Sequence, residues 1–342
     1  MNSKSAKTTR ELAIEMLGHC RNFTEQNNKR ALWQLVSTLL PFLLICVIIG
    51  ITVSNYYWVT LLLIVPAAGF LVRLFLLQHD CGHGSFFASK SSNDLLGRLL
   101  SLLTFTPFSY WRTTHAIHHA TTGNLDRRGV GDIYTLTVEE YRVLKPLAKI
   151  GYRLIRNPLC SLLVGPPVHF LILQRVPGYR AFKNKAELLS IILHDVALVL
   201  FYCALIYVIG FEIMVFGFLP VVVIAACIGS FLFIVQHQFE ETSWDDAESW
   251  DAKIAALKGS SHLQMPAILN WLTCDIGLHH IHHLSSRIPN YRLRECLETN
   301  EALRDIAPKL TLWQAMTSMH LALWDEAERR LISFREYRLQ RA

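Results

Sequence analysis

The chain has no glycine-rich phosphate loop, no dinucleotide fingerprint, no haem-binding domain and no cysteine cluster of the ferredoxin type. These absences exclude a recognisable built-in nucleotide, haem or iron–sulfur cofactor. Its eight cysteines, Cys20, Cys46, Cys81, Cys160, Cys203, Cys227, Cys274 and Cys296, fall at no zinc-site spacing. They read as free thiols, cytoplasmic or within helices, rather than disulfides. No internal repeat or low-complexity tract interrupts the chain, and the first thirty residues are too polar to contain a cleavable signal peptide. Lysine and arginine are missing from two short turns, 54–57 and 210–212, and those gaps carry topological information.

What the chain has in abundance is apolar sequence. Hydrophobic residues make up 52% of it and the mean hydropathy is +0.29. Four runs, 35–53, 58–77, 189–209 and 213–235, are long enough for a hydrocarbon core of roughly 30 Å, which takes about 20 helical residues. Arg73 falls inside the second run and His194 with Asp195 inside the third, each near one end where a polar head can reach the interface. Four such runs in two hairpins describe an all-α membrane protein rather than buried helices of a soluble one. The turns without lysine or arginine face outward. The flank bearing Lys4, Lys7, Arg10, Arg21, Lys29 and Arg30, the long centre and the tail face the cytoplasm. The expected organisation is a cytoplasmic segment 1–34, a first transmembrane hairpin 35–77, a cytoplasmic or interfacial segment 78–188, a second hairpin 189–235 and a cytoplasmic helical cap 236–342.

Histidine is the second surplus. His279, His280, His282 and His283 occupy four of five consecutive positions in a chain with 15 histidines. Such a cluster neither packs as apolar filler nor satisfies its ring N–H groups without a metal. A solvated histidine tract is the plain alternative, but two further clusters repeat the spacing. His79 and His83 stand at i and i+4; His115, His118 and His119 stand at i, i+3 and i+4, as do His279, His282 and His283. On a helix these positions share a face, so each cluster can aim two or three nitrogens at one point. Eight convergent ligands exceed one tetrahedral zinc site and suit two first-row ions of octahedral habit with open positions. The second and fourth runs end just before His79 and His237, so both emerge at one depth on the cytoplasmic side and His237 becomes a ninth candidate. His19, His169, His194, His262 and His320 lie outside the pattern and read as ordinary interfacial or surface histidines.

Between the hairpins, 95–110 is too short and too polar-flanked to cross, and 159–173, interrupted by Gly165-Pro166-Pro167, reads as interfacial or re-entrant. Toward the end, Leu312, Met316, Met319, Leu323 and Leu331, with Trp313 and Trp324, describe an amphipathic helix packed against the cap.

These boxes, their order and their placement after the second and fourth spans resemble the membrane-bound fatty acid desaturases, over most of the chain (about 35–320). Residues 78–87 (QHDCGHGSFF), 111–124 (WRTTHAIHHATTGN) and 235–240 (VQHQFE) look like the acyl-lipid branch. Residues 270–293 (NWLTCDIGLHHIHHLSSRIPNYRL) are similar to the bacterial, cyanobacterial and plastid enzymes acting at the Δ12 or ω-6 position. The resemblance implies a non-haem di-iron centre, with two Fe ions, that uses O2 to introduce a cis double bond into a long acyl chain. Removing hydrogen from an unactivated methylene is beyond any side-chain acid or base, so the hard step belongs to a redox metal, which zinc is not. With no redox domain in the chain, electrons come from a separate donor; the family implies ferredoxin or a comparable small carrier.

Carboxylates that can accept the remote imidazole N–H groups are Asp80, Asp132, Glu240, Asp245 and Asp275. Asp275 is favoured because it precedes His279 by four and shares its face if the segment is helical. Asn124 stands where the family has a polar residue after the second box. The net charge of +6 fits an anionic inner leaflet and an acidic electron donor, not nucleic acid. Two other readings stand: a lipid hydroxylase or ketolase with the same boxes, and a histidine-rich membrane metal transporter or binding protein. The transporter is disfavoured because the clusters sit beside the bilayer rather than along a path through it. The expected location is a bacterial inner membrane, multi-pass, with both termini and all boxes cytoplasmic.

Overall fold

A computed structural model describes residues 8–340; Lys4 and Lys7 of the basic flank lie outside them. Helix α1 (Thr9–Cys20) opens with a reciprocal cap, in which the Thr8 hydroxyl accepts from the Glu11 amide and the Glu11 carboxylate accepts from the Thr8 amide. Then follow α2 (Asn28–Thr52), α3 (Tyr57–His83), α4 (Lys90–Thr104) and α5 (Phe108–Thr121). The central segment holds α6 (Val138–Val143), α7 (Pro146–Ile155), α8 (Gly165–Leu171) and α9 (Tyr179–Lys183). After α10 (Lys185–Ile209), a π-helical turn Ile213–Phe218 runs into α11 (Leu219–His237).

Among the described residues four helices are long and apolar enough to cross a membrane: Asn28–Thr52, Tyr57–His83, Lys185–Ile209 and Ile213–His237. Half of the apolar window of α3 is buried in the protein, against 17% for α10, so α3 is the central post and α10 an outer one. Accordingly α3 packs against α2, α4 and α11, and the largest apolar cluster runs along it from Ile64 through Leu71 and Leu74 to Leu77. At 1.5 Å per residue the 27 residues of α3 reach about 40 Å, some 10 Å more than the ~30 Å hydrocarbon layer. Counted from Tyr57, the surplus is the turn or two that carries His79 and His83. The span from Ile213 overshoots in the same direction with His237, which is why three imidazoles from two spans stand at one level. Gly84, at φ 67°, stops α3 directly after His83 in a left-handed conformation that suits glycine.

The remaining cap contains α12 (Ala252–Lys258), α13 (Ala267–Leu272), α14 (His279–Leu284) and α15 (Asn290–Glu298). Every residue of α14 is buried. A second apolar cluster wraps it, built from Ala13 and Met16 of α1, Leu257 of α12, Ile281 of α14 and Leu293 of α15.

The fold is mainly helical, but among the described residues there are two small sheets, one within the cap and one joining the central segment to it. Strand β1 (Leu136–Thr137) runs parallel to β4 (Leu321–Asp325), which pairs antiparallel with β5 (Arg330–Ser333); β2 (His262–Gln264) lies parallel to β3 (Lys309–Thr311). The amphipathic helix expected to run on through Leu323 and Leu331 therefore ends at Ser318. The apolar spacing 312, 316, 319, 323 fits a helix, yet Leu323 and Leu331 are buried from strands. The turn between those strands is held by the Asp325 carboxylate, which accepts from the Ala327 and Glu328 amides. The break expected at Gly165-Pro166-Pro167 lies earlier: Pro146–Ile155 and Cys160–Lys183 meet at 61° across residues 156–159, the shape of a broken span or a re-entrant loop.

Candidate metal centre

The nine histidines come from four helices that reach one level. Box one ends α3, box two lies on α5, box three on α14, and His237 ends α11. They gather into two sets: His79, His83, His115, His119 and His282, and His118, His237, His279 and His283. Within each set one ring nitrogen from every residue lies within 4.8 Å of the others. Boxes two and three do not each aim at a single point, as their spacing alone allowed. On α5 the i, i+4 pair His115 and His119 serves the first set while His118 serves the second; on α14 the pair His279 and His283 serves the second and His282 the first. The reason is angular: at about 100° per residue, i and i+4 differ by only about 40°, whereas i+3 lies about 100° from i+4. Two helices thus lie between two sites, each giving a pair to one and a single ring to the other.

The distances decide what the sets can be. His115 Nε2 lies 3.0 Å from His79 Nε2, 3.1 Å from His83 Nε2 and 3.1 Å from His119 Nε2. One imidazole nitrogen has either one proton or one lone pair, so hydrogen bonding cannot account for three such contacts. In the second set, His237 Nε2 lies 3.1 Å from His118 Nε2 and 2.9 Å from His279 Nε2. Both rings of the first of these contacts already donate from their far nitrogen. His118 Nδ1 donates to Asp132 Oδ1 at 2.6 Å, and His237 Nδ1 donates to the Gly259 carbonyl at 3.0 Å. With both rings in the neutral form that binds metal, two lone pairs then face each other, an arrangement that a cation between them stabilises. Two nitrogens about 2.1 Å from one ion and 90° apart are about 3.0 Å from each other, so the spacing fits adjacent corners of an octahedral first-row ion. Burial, and then crowding by neighbouring imidazoles, pushes His115, His119, His279, His282 and His283 well below the ordinary histidine range. That keeps them in the neutral form a metal requires.

Several neighbours hold the rings. Asp80 approaches His79 Nδ1 at 3.3 Å while its other oxygen accepts from the Asn290 amide and side chain, at 2.7 and 2.8 Å, tying box one to the start of α15. Trp111 stacks on His115, centroids 4.7 Å apart and planes 13° apart. Gly82 makes that stack possible, since a Cβ there would meet Trp111 Cζ3 at 2.7 Å. Gly82→Ala should therefore displace the indole and, with it, His115; the expected result is about a tenfold or greater loss of activity with little change in membrane insertion, checked by product yield per mole of inserted protein.

Two expected supports lie elsewhere. Asp275 adopts φ 55° in the turn before α14, which begins only at His279. It does not share a helical face with His279; its carboxylate pairs with Arg294. Asn124 is buried, but its Oδ1 accepts from the Asp126 and Arg127 amides, so it shapes the loop after box two. Glu240 and Asp245 pair with Arg330 and Arg329. The six other histidines stay outside both sets: His19 bonds the Cys296 carbonyl, His169 the Gln174 amide, His194 the Ser101 carbonyl and His280 the Leu303 carbonyl, His262 stands beside His280, and His320 is exposed. Sequence spacing gave no hint of Asn290, of the Gly259 carbonyl or of the contact between Gly82 and Trp111. The placement of Trp111 four residues before His115, one turn away on the same helix face, is the one signal that could have flagged it.

Four apolar helices with two imidazole clusters at their common end define a helical membrane protein with two candidate metal sites. The comparison with known proteins carries this further: residues 56–315 match the family described as Fatty acid desaturase, and the chain belongs to it. It is 40% identical over 92% of its length to a protein of Bacillus subtilis named fatty acid desaturase, covering 88% of that protein. It is 29% identical over 66% of its length to a Synechocystis sn-1 oleoyl-lipid 12-desaturase, and 30% identical over 66% to a Synechocystis sn-1 acyl-lipid omega-3 desaturase (ferredoxin). It spans 63% and 62% of those two proteins.

Proposed function

We propose that the nine imidazoles hold two iron ions and that the enzyme introduces a cis double bond into a long acyl chain of a membrane lipid, at the Δ12 or ω-6 position, with O2 as co-substrate. The observation that carries the reading is the convergence of imidazole ring nitrogens at 2.9 to 3.1 Å in two separate sets. The five-nitrogen set would leave one octahedral position open and the four-nitrogen set two. When bound, such an iron pair supplies an oxidant strong enough for an unactivated methylene. The reaction balances as R–CH2–CH2–R + O2 + 2 e− + 2 H+ giving R–CH=CH–R + 2 H2O.

The chain's own residues supply position and charge control. Asp132 accepts the far N–H of His118 and fixes that ring's tautomer, as the Gly259 carbonyl does for His237. Phe233 lies 5.3 Å from the His118 ring and 5.5 Å from the His237 ring, presenting an apolar face where a methylene chain can lie. The two hydrogens leave from adjacent carbons, so the chain must be held with one carbon pair facing both sets; a misplacement of about 1 Å can cost ~10²-fold. The electrons come from a small acidic carrier, a reading supported by the relative whose name specifies ferredoxin. The termini and all boxes face the cytoplasm, in agreement with the basic residues of the N-terminal segment, the centre and the tail. The position of the double bond takes its support from the 12-desaturase relative and from residues 270–293.

The test is expression in a host lacking polyunsaturated lipids, with fatty acid profiling and metal analysis of the purified protein. About two irons per chain and a new 12-unsaturated product are expected. A product carrying oxygen from labelled O2 would make the enzyme a hydroxylase, and zinc without oxidation would end the iron reading.

A further inference from the structure

Arg156 stands at the break between α7 and the π-helical turn Cys160–Val164 and is only 7% exposed. Among the described residues no carboxylate lies within ion-pair distance of it. Its Nη2 donates to the Leu321 carbonyl at 3.0 Å, and its Nε is buried without a partner. A buried guanidinium with no counter-charge is costly, and an anion is the natural remedy.

The space beside it is ready for one. Arg156 lines a cavity of about 180 Å³ together with Ile133, Tyr134, Ser161, Ile234, Gln238 and Met319. Ile133 and Gln238 also line the small hollow that includes His118, Asp132 and His237, so the two spaces adjoin. Ile234 lies one helical turn before His237, about 4.5 Å along α11. The cavity therefore combines a cationic group, Arg156, with apolar walls, and shares Ile133 and Gln238 with the hollow at the second histidine set.

Its surroundings say where the ligand comes from. Leu154, Ile155, Leu159, Leu163 and Val164 on this bent segment are 56 to 68% exposed. Apolar side chains shown outward in such number face hydrocarbon rather than water. A molecule entering beside Arg156 arrives from the bilayer, which favours a membrane lipid over a soluble thioester carrier with the same phosphate chemistry.

We propose that Arg156 binds the phosphate of a glycerophospholipid whose acyl chain runs past Ile234 and Met319 toward the histidine sets. This rests on the desaturase reading for the fate of the chain, but not for the binding itself. Arg156 is thus a positioning residue that selects substrates by headgroup and sets how deep the chain reaches.

The test uses the full chain, metal-free, in nanodiscs, comparing wild type, Arg156→Gln and Arg156→Lys. Retention of phosphatidylglycerol, of a neutral galactolipid with the same acyl chains, and of a long-chain acyl-CoA is read by native mass spectrometry. Arg156→Gln should lower phosphatidylglycerol retention by about tenfold or more while leaving the galactolipid unchanged, and Arg156→Lys should restore part of it. Equal loss of both lipids, or of neither, overturns the proposal, the first marking a purely structural role through the Leu321 contact. Dependence of acyl-CoA but not phosphatidylglycerol on Arg156 also overturns it. Because retention is measured without metal, a wild type that binds as expected but desaturates nothing would count against the desaturase reading alone.

Discussion

His118→Ala yields a protein that inserts into the membrane, forms no detectable new double bond and retains about one metal per chain rather than about two. Insertion survives because His118 lies on α5, outside the four spans. The loss is severe because His118 belongs to the smaller set. With four imidazoles, that set falls to three, whereas His83→Ala leaves the larger set with four. The second metal should accordingly be lost more readily from His118→Ala than the first from His83→Ala. His118→Ala also strands Asp132, whose carboxylate is buried against the imidazole at 2.6 Å, and a buried charge without its partner is costly. His282→Ala should likewise abolish product, since its Nε2 approaches His119 Nε2 at 3.1 Å in the first set. Metal content by atomic emission together with fatty acid profiles checks both. Retained activity in either variant removes that residue from the ligand set, and equal metal retention in His83→Ala and His118→Ala would refute the unequal sets.

The spans were legible because a hydrocarbon core demands about 20 apolar residues in a row, and nothing in a soluble fold imitates four such runs in two hairpins. The convergence of the boxes was legible for a related reason: helical spacing puts i, i+3 and i+4 on one side, and two spans of similar length end at similar depth. Spacing could not show how each triplet divides, because a 100° difference between neighbours matters only once two targets exist. It also failed where the tertiary fold overrode a local pattern. The residues from Leu312 onward repeat at helical intervals, yet after Ser318 the backbone turns into β4 and β5, since β1, nearly two hundred residues earlier in the chain, offers an edge to pair with. The expectation for Asp275 failed in the same way. It assumed a helix reaching back through the turn, and the left-handed conformations of Cys274 and Asp275 break that helix before it begins.

That last difference yields the second large effect. Asp132→Asn should reduce activity or metal affinity by roughly 10- to 100-fold, while Asp275→Asn leaves both unchanged. Asp132 accepts the His118 N–H through a side chain only 4% exposed, where little water competes and a charged acceptor strengthens both the ring's orientation and its basicity as a donor to metal. An amide in its place is a weaker acceptor and can turn its NH2 toward the ring, disfavouring the tautomer that leaves Nε2 free. Asp275 pairs with Arg294 on the surface, their side chains 22% and 48% exposed, and such a pair contributes at most about 1 kcal/mol to stability and nothing to the site. Metal titration and product yield on the two variants separate the readings directly. A loss at Asp275 with none at Asp132 would restore the helical extension that residue spacing suggested and would mean that the ring of His118 is held in some other way.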